Sequence, residues 1–182
     1  MTNNEIIQAV LDSPPTGYFQ ARIYLFDDEV RTPLRYSLPN EHRAWGVFAQ
    51  GGWLQAGGEG DSPISGIEFR GSAQGRLWVK MHTNNHRNEL RVLDRSANGY
   101  LGLYETSANT RLWKLQPLEW TGTEMLCYLR DHLGNRVGVD TEYTTVNNCT
   151  FHYLKVGAST PSTFLVKKVD LPGKREGTAW LP

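Results

Sequence analysis

Residues 89–116 read ELRVLDRSANGYLGLYETSANTRLWKLQ, and this stretch decides the fold. It contains two strand-like segments, residues 89–94 and 99–104, separated by the pair Asn98-Gly99. Asn-Gly accepts positive φ at little cost and is the strongest short signal for a tight hairpin turn. The stretch therefore predicts a β-hairpin followed by a third strand that contains Trp113.

The same pattern recurs on both sides of this stretch. A shift of 36 residues places LRVLDRSANGYLGLY on LCYLRDHLGNRVGVD. A weaker copy lies upstream at residues 44–57, with its turn at Gly51-Gly52. Three copies at a spacing of about 36 to 47 residues predict a β-fold with pseudo-threefold symmetry.

Length and composition indicate one domain with many short strands. The 182 residues suit a single hydrophobic core. With 18 Gly and 9 Pro, the chain has the tight-turn residues that such strands need. We expect an N-terminal helix and linker at residues 1–17, a single domain at 18–170 and a C-terminal tail at 171–182.

The charge balance argues against a polyanionic partner. Lys plus Arg and Asp plus Glu each number 19, so the formal net charge is zero and we expect no nucleic-acid partner. The first residues lack a basic n-region, and no apolar run approaches the length of a transmembrane segment. We expect a protein that is cytoplasmic or released without a classical signal peptide.

Two cysteines, Cys127 and Cys149, are present. Because free cysteines are often fully buried, we expect two buried thiols, with a disulfide as the alternative. Cys149 and His152 are three residues apart on a predicted strand and so point to opposite faces, as do Cys127 and His132 at a separation of five. The sequence predicts neither a metal site nor a cofactor.

One helix is predicted, over residues 4–12. Thr2 and Glu5 form a capping box, and Ser13-Pro14-Pro15 ends the segment. The remainder predicts twelve strands, at residues 18–26, 44–49, 53–57, 66–71, 76–82, 89–94, 99–104, 110–116, 124–130, 136–140, 150–156 and 162–169. Residues 31–43 read as a long connection, and 27–29 as an acidic solvated turn. This pattern is typical of an all-β barrel or sandwich.

The hairpins LRVLDRSANGYLGLY and LCYLRDHLGNRVGVD, each followed by an aromatic in RLWKL or TFHYL, resemble a β-trefoil of the ricin-B-like or fascin-like kind. The resemblance covers residues 18–170. Because the repeat places an aromatic at the closing position of each unit, we expect the core to contain Trp45, Phe69, Trp113 and Phe151. The Gln-x-Trp triplet of ricin-B-type lectins is missing from all three repeats, and a β-sandwich is the alternative fold.

The segment RLWVKMH at residues 76–82 is the most informative for binding. Leu77, Val79 and Met81 form an apolar face, so the alternation directs Arg76, Trp78 and Lys80 outward. An outward Trp between cations can stack on a sugar ring while the cations donate hydrogen bonds. The alternative is that Trp78 packs under the loop at residues 84–88 or against the helix.

Further candidate binding residues come from outward aromatics and from the resemblance. Trp53, next to Gln55, and Tyr100 are predicted outward aromatics. Asp140 ends the segment RVGVD, which resembles the position where ricin-B-like lectins carry a sugar-binding Asp. Asn147 or Asn148 would assist it, and the alternative is that Asp140 is a simple loop carboxylate.

No catalytic signature is present, and we expect a binding protein that is not an enzyme. The resemblance implies a lectin with a glycan or glycoprotein as its partner. The alternatives are a defence or toxin-associated module that binds protein or cytoskeleton, and a protease inhibitor that presents residues 31–43 or 57–66. Because a single shallow sugar site is weak, useful avidity would need several sites or a homo-oligomer.

Overall fold

The computed structural model describes residues 2–12, 17–39, 41 and 51–170. Over these residues it contains one helix, α1 (Asn3–Asp12), and thirteen strands that belong to one hydrogen-bonded sheet. The strands are β1 (Gly17–Asp27), β2 (Val30–Tyr36), β3 (Leu54–Gly57), β4 (Ile64–Ala73), β5 (Arg76–Asn84), β6 (Leu90–Arg95), β7 (Leu101–Tyr104), β8 (Trp113–Trp120), β9 (Glu124–Arg130), β10 (Val137–Val146), β11 (Cys149–Val156), β12 (Thr160–Pro161) and β13 (Phe164–Lys168). The predicted all-β class is confirmed.

Six strands close into an antiparallel barrel. The pairs run β1–β13, β13–β9, β9–β8, β8–β5, β5–β4 and back from β4 to β1. Period-2 sequences build this wall, because every second side chain of a strand points inward. In β5 the predicted apolar face is buried and the alternate residues are half-buried. The inward side chains include Phe19, Ala21, Ile67, Leu77, Val79, Met81, Leu115, Met125, Cys127, Leu129, Phe164 and Val166.

Six of the remaining seven strands form three hairpins that follow alternate barrel strands, and the short β12 pairs with β10. β2 and β3 follow β1, β6 and β7 follow β5, and β10 and β11 follow β9, and the two strands of each hairpin pair with each other. The hairpins also meet one another. β3 pairs with β11, and isolated bridges join Trp53 to Gly102 and Tyr100 to Lys155. They therefore form a cap of three contacting hairpins.

Two turns that follow barrel strands share one hydrogen-bond pattern. The side-chain oxygen of Asn85, after β5, accepts the backbone N–H groups two and four residues later at 2.9 and 3.0 Å. Asp131, after β9, accepts the corresponding groups at 3.1 and 2.8 Å. The two turns are 46 residues apart, so the predicted shift of 36 is wrong. LCYLRDHLGNRVGVD is not a hairpin either, because β9 and β10 meet only at the bridge between Arg130 and Arg136.

Other strand predictions need correction. Residues 31–36 belong to β2 and are not part of a connection. Phe151 lies in a hairpin strand, β11, and is half-buried, because the strand that closes the third segment of the barrel is β13. Phe69 and Trp113 lie in barrel strands and are buried, as predicted. Trp45 and the predicted strand at 44–49 lie outside the described residues.

The helix and its cap are confirmed. The Thr2 backbone N–H donates to the Glu5 carboxylate at 2.6 Å, and the Glu5 N–H donates to the Thr2 hydroxyl at 3.3 Å. These bonds lower the pKa of Glu5. The helix docks on the barrel through the Asn3 side chain, which bonds the backbone of Leu118 and Trp120 in β8. Val10 is buried in the core.

The two thiols differ in exposure. Cys127 is buried and free, as predicted, whereas Cys149 is free but exposed, because it lies next to the turn between β10 and β11. The expectation of two buried thiols is therefore wrong for Cys149. Among the described residues, no helix is long and apolar enough to cross a membrane, and no group of three or more His, Cys, Asp or Glu side chains is arranged to hold a metal.

Candidate functional site

A bulge in β10 positions Asp140, which the sequence predicts as a binding residue. The register of β10 on β11 pairs Val139 with Leu154 and Tyr143 with His152, so three residues of β10 lie opposite the single residue Tyr153. Bulges of this kind bend a strand and redirect its side chains. Here the bulge lies where the second and third hairpins meet, at the bridge between Tyr100 and Lys155.

The bulge brings Asp140 to Tyr100, a second residue that the sequence predicts for binding. The Tyr100 hydroxyl donates a 2.6 Å hydrogen bond to Oδ2 of Asp140. Within the described part of the chain, the other carboxylate oxygen of Asp140 has no donor. Desolvation, followed by the bond to Asp140, raises the pKa of Tyr100 to about 12, so the phenol remains a donor at neutral pH. The bond thus holds the Asp140 carboxylate in one orientation and leaves its Oδ1 atom as a further hydrogen-bond acceptor.

Aromatic and basic side chains contact Tyr100, His152 and the backbone of Asp140. Lys155 Nζ lies 4.9 Å from the centre of the Tyr100 ring. Tyr143 is 57 % exposed and its ring centre is 5.5 Å from that of His152. Nδ1 of His152 is 3.3 Å from the Asp140 carbonyl oxygen. We call Tyr100, Asp140, Tyr143, His152 and Lys155 the Asp140 cluster.

Buried polar groups lie next to the cluster. Nε2 of Gln55, which is fully buried, donates to the Thr144 hydroxyl at 2.8 Å, and Tyr153 forms side-chain hydrogen bonds with both. Burial raises the pKa of Tyr153 to about 12. The Tyr153 ring contacts Tyr100 edge-on with centres 5.8 Å apart. This packing fixes the ring whose hydroxyl orients Asp140.

Asn147 and Asn148 are not brought to Asp140. They form the turn between β10 and β11, with φ of 49° and 65°, and both are exposed. Asp140 lies in the bulge opposite Tyr153, four positions along β11 from Cys149 at this turn, or roughly 13 Å. No contact among the described residues joins Asp140 to either Asn, so their cooperation in binding one sugar stays a prediction.

Trp53 is only partly available to a ligand. It is half-buried, and its ring packs so closely on Gly102 that a Cβ there would be 3.0 Å from Cε3 of Trp53. The backbone N–H of Trp53 donates to the Ser37 hydroxyl at 3.0 Å. Trp53 therefore joins the first and second hairpins of the cap, an interaction that its position in the sequence did not indicate.

Trp78 and Arg76 lie on the outer wall of the barrel, as the alternation predicts. Trp78 is half-buried, and the register places Lys114 beside it and Arg130 beyond. Lys114 Nζ is 5.4 Å from the centre of the Trp78 ring, so this cation shares the aromatic face with any ligand. Lys80 pairs across the strands with Glu68, on the side away from Lys114.

Three residues that sequence reasoning missed lie beside Arg76 and Trp78. Tyr128 and Arg130 point outward from β9, and Arg136 follows the next turn. The Arg136 guanidinium carbon is 3.5 Å from the centre of the Tyr128 ring, and that of Arg130 is 5.8 Å away. We call Arg76, Trp78, Lys114, Tyr128, Arg130 and Arg136 the arginine face. The period-2 pattern of EMLCYLR indicates which side chains point outward, but the neighbouring strands depend on barrel closure.

A polar cleft of about 390 Å³ lies between the β2–β3 connection and the turn after β5. Several of its ionic groups are already paired. Arg35 donates to both carboxylate oxygens of Glu41 at 2.7 and 2.8 Å, and Asp61 accepts from the Tyr24 hydroxyl at 2.7 Å. The cleft is therefore a weaker candidate than the Asp140 cluster.

No protein-family model, curated protein or solved structure matches this chain.

Proposed function

We propose that this protein is a carbohydrate-binding β-trefoil whose main sugar site is the Asp140 cluster. The fold assignment is supported by the strand order: each of three successive segments contributes a barrel strand, a hairpin and a second barrel strand. These segments are β1 to β4, β5 to β8 and β9 to β13. The matching turns at Asn85 and Asp131 support the equivalence of the second and third segments.

The observation that carries the functional proposal is the hydrogen bond between Tyr100 and Asp140. It orients a carboxylate at the surface and leaves one oxygen to accept a sugar hydroxyl. Tyr143 is the first residue of β10 after the bulge, and its exposed ring offers a face to the C–H groups of a pyranose. An oriented acceptor beside an open aromatic ring is the combination that a shallow sugar site needs.

Such a site binds one sugar weakly. One stacked ring and a few hydrogen bonds in competition with water leave about 4 to 6 kcal/mol, or Kd of about 0.1 to 1 mM. Tight binding of a glycoprotein would come from several sites or from a homo-oligomer, in which a second binding event becomes intramolecular. The predicted pair Trp78 and Arg76 would serve as a second, less open site.

A glycan array followed by titration of the best glycan tests the proposal. We expect Asp140→Asn to weaken binding about tenfold or more, because the amide presents an N–H donor or a weaker acceptor to the sugar hydroxyl. Tyr143→Ala alone should also weaken glycan binding, and it should not unfold the protein because that ring is mostly exposed. Asp28→Asn is the matched control, because Asp28 lies in the exposed turn between β1 and β2.

Two results would count against the proposal. One is the absence of any glycan signal up to millimolar sugar, and the other is equal binding by Asp140→Asn and the wild type. Of the two loops considered for the inhibitor alternative, the first begins in strand β2, whereas residues 58–63 of the second form a loop between β3 and β4.

A further inference from the structure

Three guanidinium groups converge on the arginine face. Arg130 ends β9, Arg136 follows the turn after it, and Arg76 begins β5 on the other side of β8. Arg130 and Arg136 both have their guanidinium carbons within 5.8 Å of the centre of the Tyr128 ring. Lys114, over Trp78, adds a fourth cation on the intervening strand.

Gly134 allows two of these side chains to meet. Its carbonyl oxygen accepts from Arg130 Nη1 at 2.8 Å. A Cβ on Gly134 would lie 3.0 Å from Arg76 Nη1, so a larger residue would push the Arg76 side chain away. Gly134 also has a φ of 94°, which favours glycine. The turn therefore places Arg76 and Arg130 against the same residue.

The charge of these arginines is not compensated by carboxylates. In the described ranges, none of Arg76, Arg130 and Arg136 forms an ion pair. Their acceptors are neutral: Gln116 Oε1 and the Gly134 carbonyl for Arg130, and the Ser162 carbonyl for Arg136. Nε of both Arg76 and Arg136 is covered and has no acceptor among the described residues.

Arginines without an ion pair also occur elsewhere in the described chain, as at Arg22, Arg31 and Arg87, but here three such arginines lie together. Arg35, Arg91 and Arg111 each contact a carboxylate at 3.0 Å or less. The carboxylate next to the arginine face, Asp131, accepts from the backbone of its own turn and is 3.5 Å from Arg95. The pKa of Arg130 is lowered by desolvation and then by the positive charges of Arg76 and Arg136.

We propose that the arginine face binds a tetrahedral oxyanion, the sulfate or phosphate group of an ester or of the free ion. Arg76, Arg130 and Arg136 supply the N–H donors, and Lys114 adds a point charge. Guanidinium groups match such oxygens with pairs of parallel hydrogen bonds, and three groups can surround one anion. The site is separate from the Asp140 cluster and does not depend on the proposed function.

Titration of the full chain with inorganic sulfate, inorganic phosphate, glucose 6-sulfate and glucose 6-phosphate tests the site. Sodium chloride holds the ionic strength constant, because exposed charges are screened by salt. NMR of arginine Nε–H groups is the readout, because an anion bound by the Nη groups changes the environment of the buried Nε of the same side chain. We expect saturable shifts of both signals with Kd in the millimolar range for at least one of the four anions.

Variants connect the signal to the three arginines. Arg130→Gln should weaken binding about tenfold or more. Arg136→Lys retains the charge but loses the planar fork, so its effect should be smaller than that of Arg136→Gln. Arg87→Gln, in the exposed turn after β5, removes the same charge elsewhere and should leave Kd unchanged. If Arg130→Gln fails to fold, Arg76→Gln at the start of β5 takes its place.

The four anions also identify the source of the ligand. Tighter binding of an ester than of its free ion would indicate a modified sugar, whereas equal binding would indicate the inorganic ion. Binding that is unaffected by Asp140→Asn would keep this site distinct from the sugar site. The proposal is overturned if no anion gives a saturable shift, or if the arginine variants bind as well as Arg87→Gln does.

Discussion

At the scale of single residues, burial separates groups of the same chemical type. Cys127 points into the barrel, and burial raises the pKa of its thiol to about 12, whereas Cys149 lies at an exposed hairpin end. The same contrast divides the tyrosines: Tyr24 is buried with its hydroxyl on Asp61, while Tyr143 faces solvent. Exposure therefore determines which of these groups can meet a ligand or reagent.

We expect the two thiols to react with a thiol reagent at different rates. Cys149 should react rapidly in the native protein, and Cys127 only after denaturation, because the reactive thiolate is scarce in a buried group of raised pKa. Counting released chromophore with time measures this, and Cys149→Ser should abolish the rapid phase. Two rapid thiols, or a rapid phase that survives in Cys149→Ser, would contradict the buried position of Cys127.

Residue-level reasoning succeeded where strand alternation alone decides the outcome. The alternation in β5 correctly placed Leu77, Val79 and Met81 inside. It could not pair Asp140 with Tyr100, because a bulge breaks the period of two and the contact crosses two hairpins. It could not assemble Arg76 with Arg130 either, since their proximity requires β8 to lie between β5 and β9.

At the scale of elements, the turns carry more positional information than the strands. Most strands of a barrel share the same alternation, so sliding one sequence on another gives several similar matches. The shift of 36 residues aligned the turn between β6 and β7, which joins the strands of a hairpin, with the turn between β9 and β10, which leaves the barrel. Hydrogen bonds at Asn85 and Asp131 identify the equivalent turns, and neither residue forms an Asn-Gly pair.

The turn between β10 and β11 offers a test that separates stability from binding. Asn147 and Asn148 both have positive φ, as in a type I′ turn, for which Asn-Gly is the preferred pair. Asn148→Gly should therefore raise the free energy of unfolding by up to about 1 kcal/mol. Denaturant titration measures this change.

Asn148→Val at the same position should lower the free energy of unfolding, because a β-branched residue is strained at positive φ. Glycan affinity should be the same in both variants, since this turn is remote from Asp140. An affinity loss in Asn148→Gly without a loss of stability would indicate that Asn148 belongs to the proposed sugar site.

At the scale of the whole molecule, several groups in the core and at its margin resist ionisation. Desolvation is the main cause that raises the pKa of Tyr36, Tyr100, Tyr153 and Cys127 to about 12. Their ordinary values are 10.0 for the tyrosines and 9.0 for the thiol. A raised folded-state pKa means that the folded protein holds its protons more firmly than the unfolded chain does.

The protein should therefore lose stability in alkali. The contribution of these groups is complete below pH 9 and is lost as the pH rises through about 12, because the unfolded chain releases its protons first. Melting temperatures measured by circular dichroism from pH 8 to pH 12 should show the decline. Tyr36→Phe removes one such group, so the melting temperature of this variant should fall less steeply with pH. A flat profile across this range would show that these groups are solvated.

The pairing of β1 with β13 has a consequence for the nascent chain. The first barrel strand has β4 available on one side, but its other neighbour is the last strand described, with Ala21 opposite Lys168. At a synthesis rate of ~5 to 20 residues per second, one edge of β1 waits on the order of 10 s for that neighbour to be translated. An unpaired edge is a template for association with other chains. Ribosome pausing before residue 164 would therefore prolong the period in which this protein is most prone to aggregate.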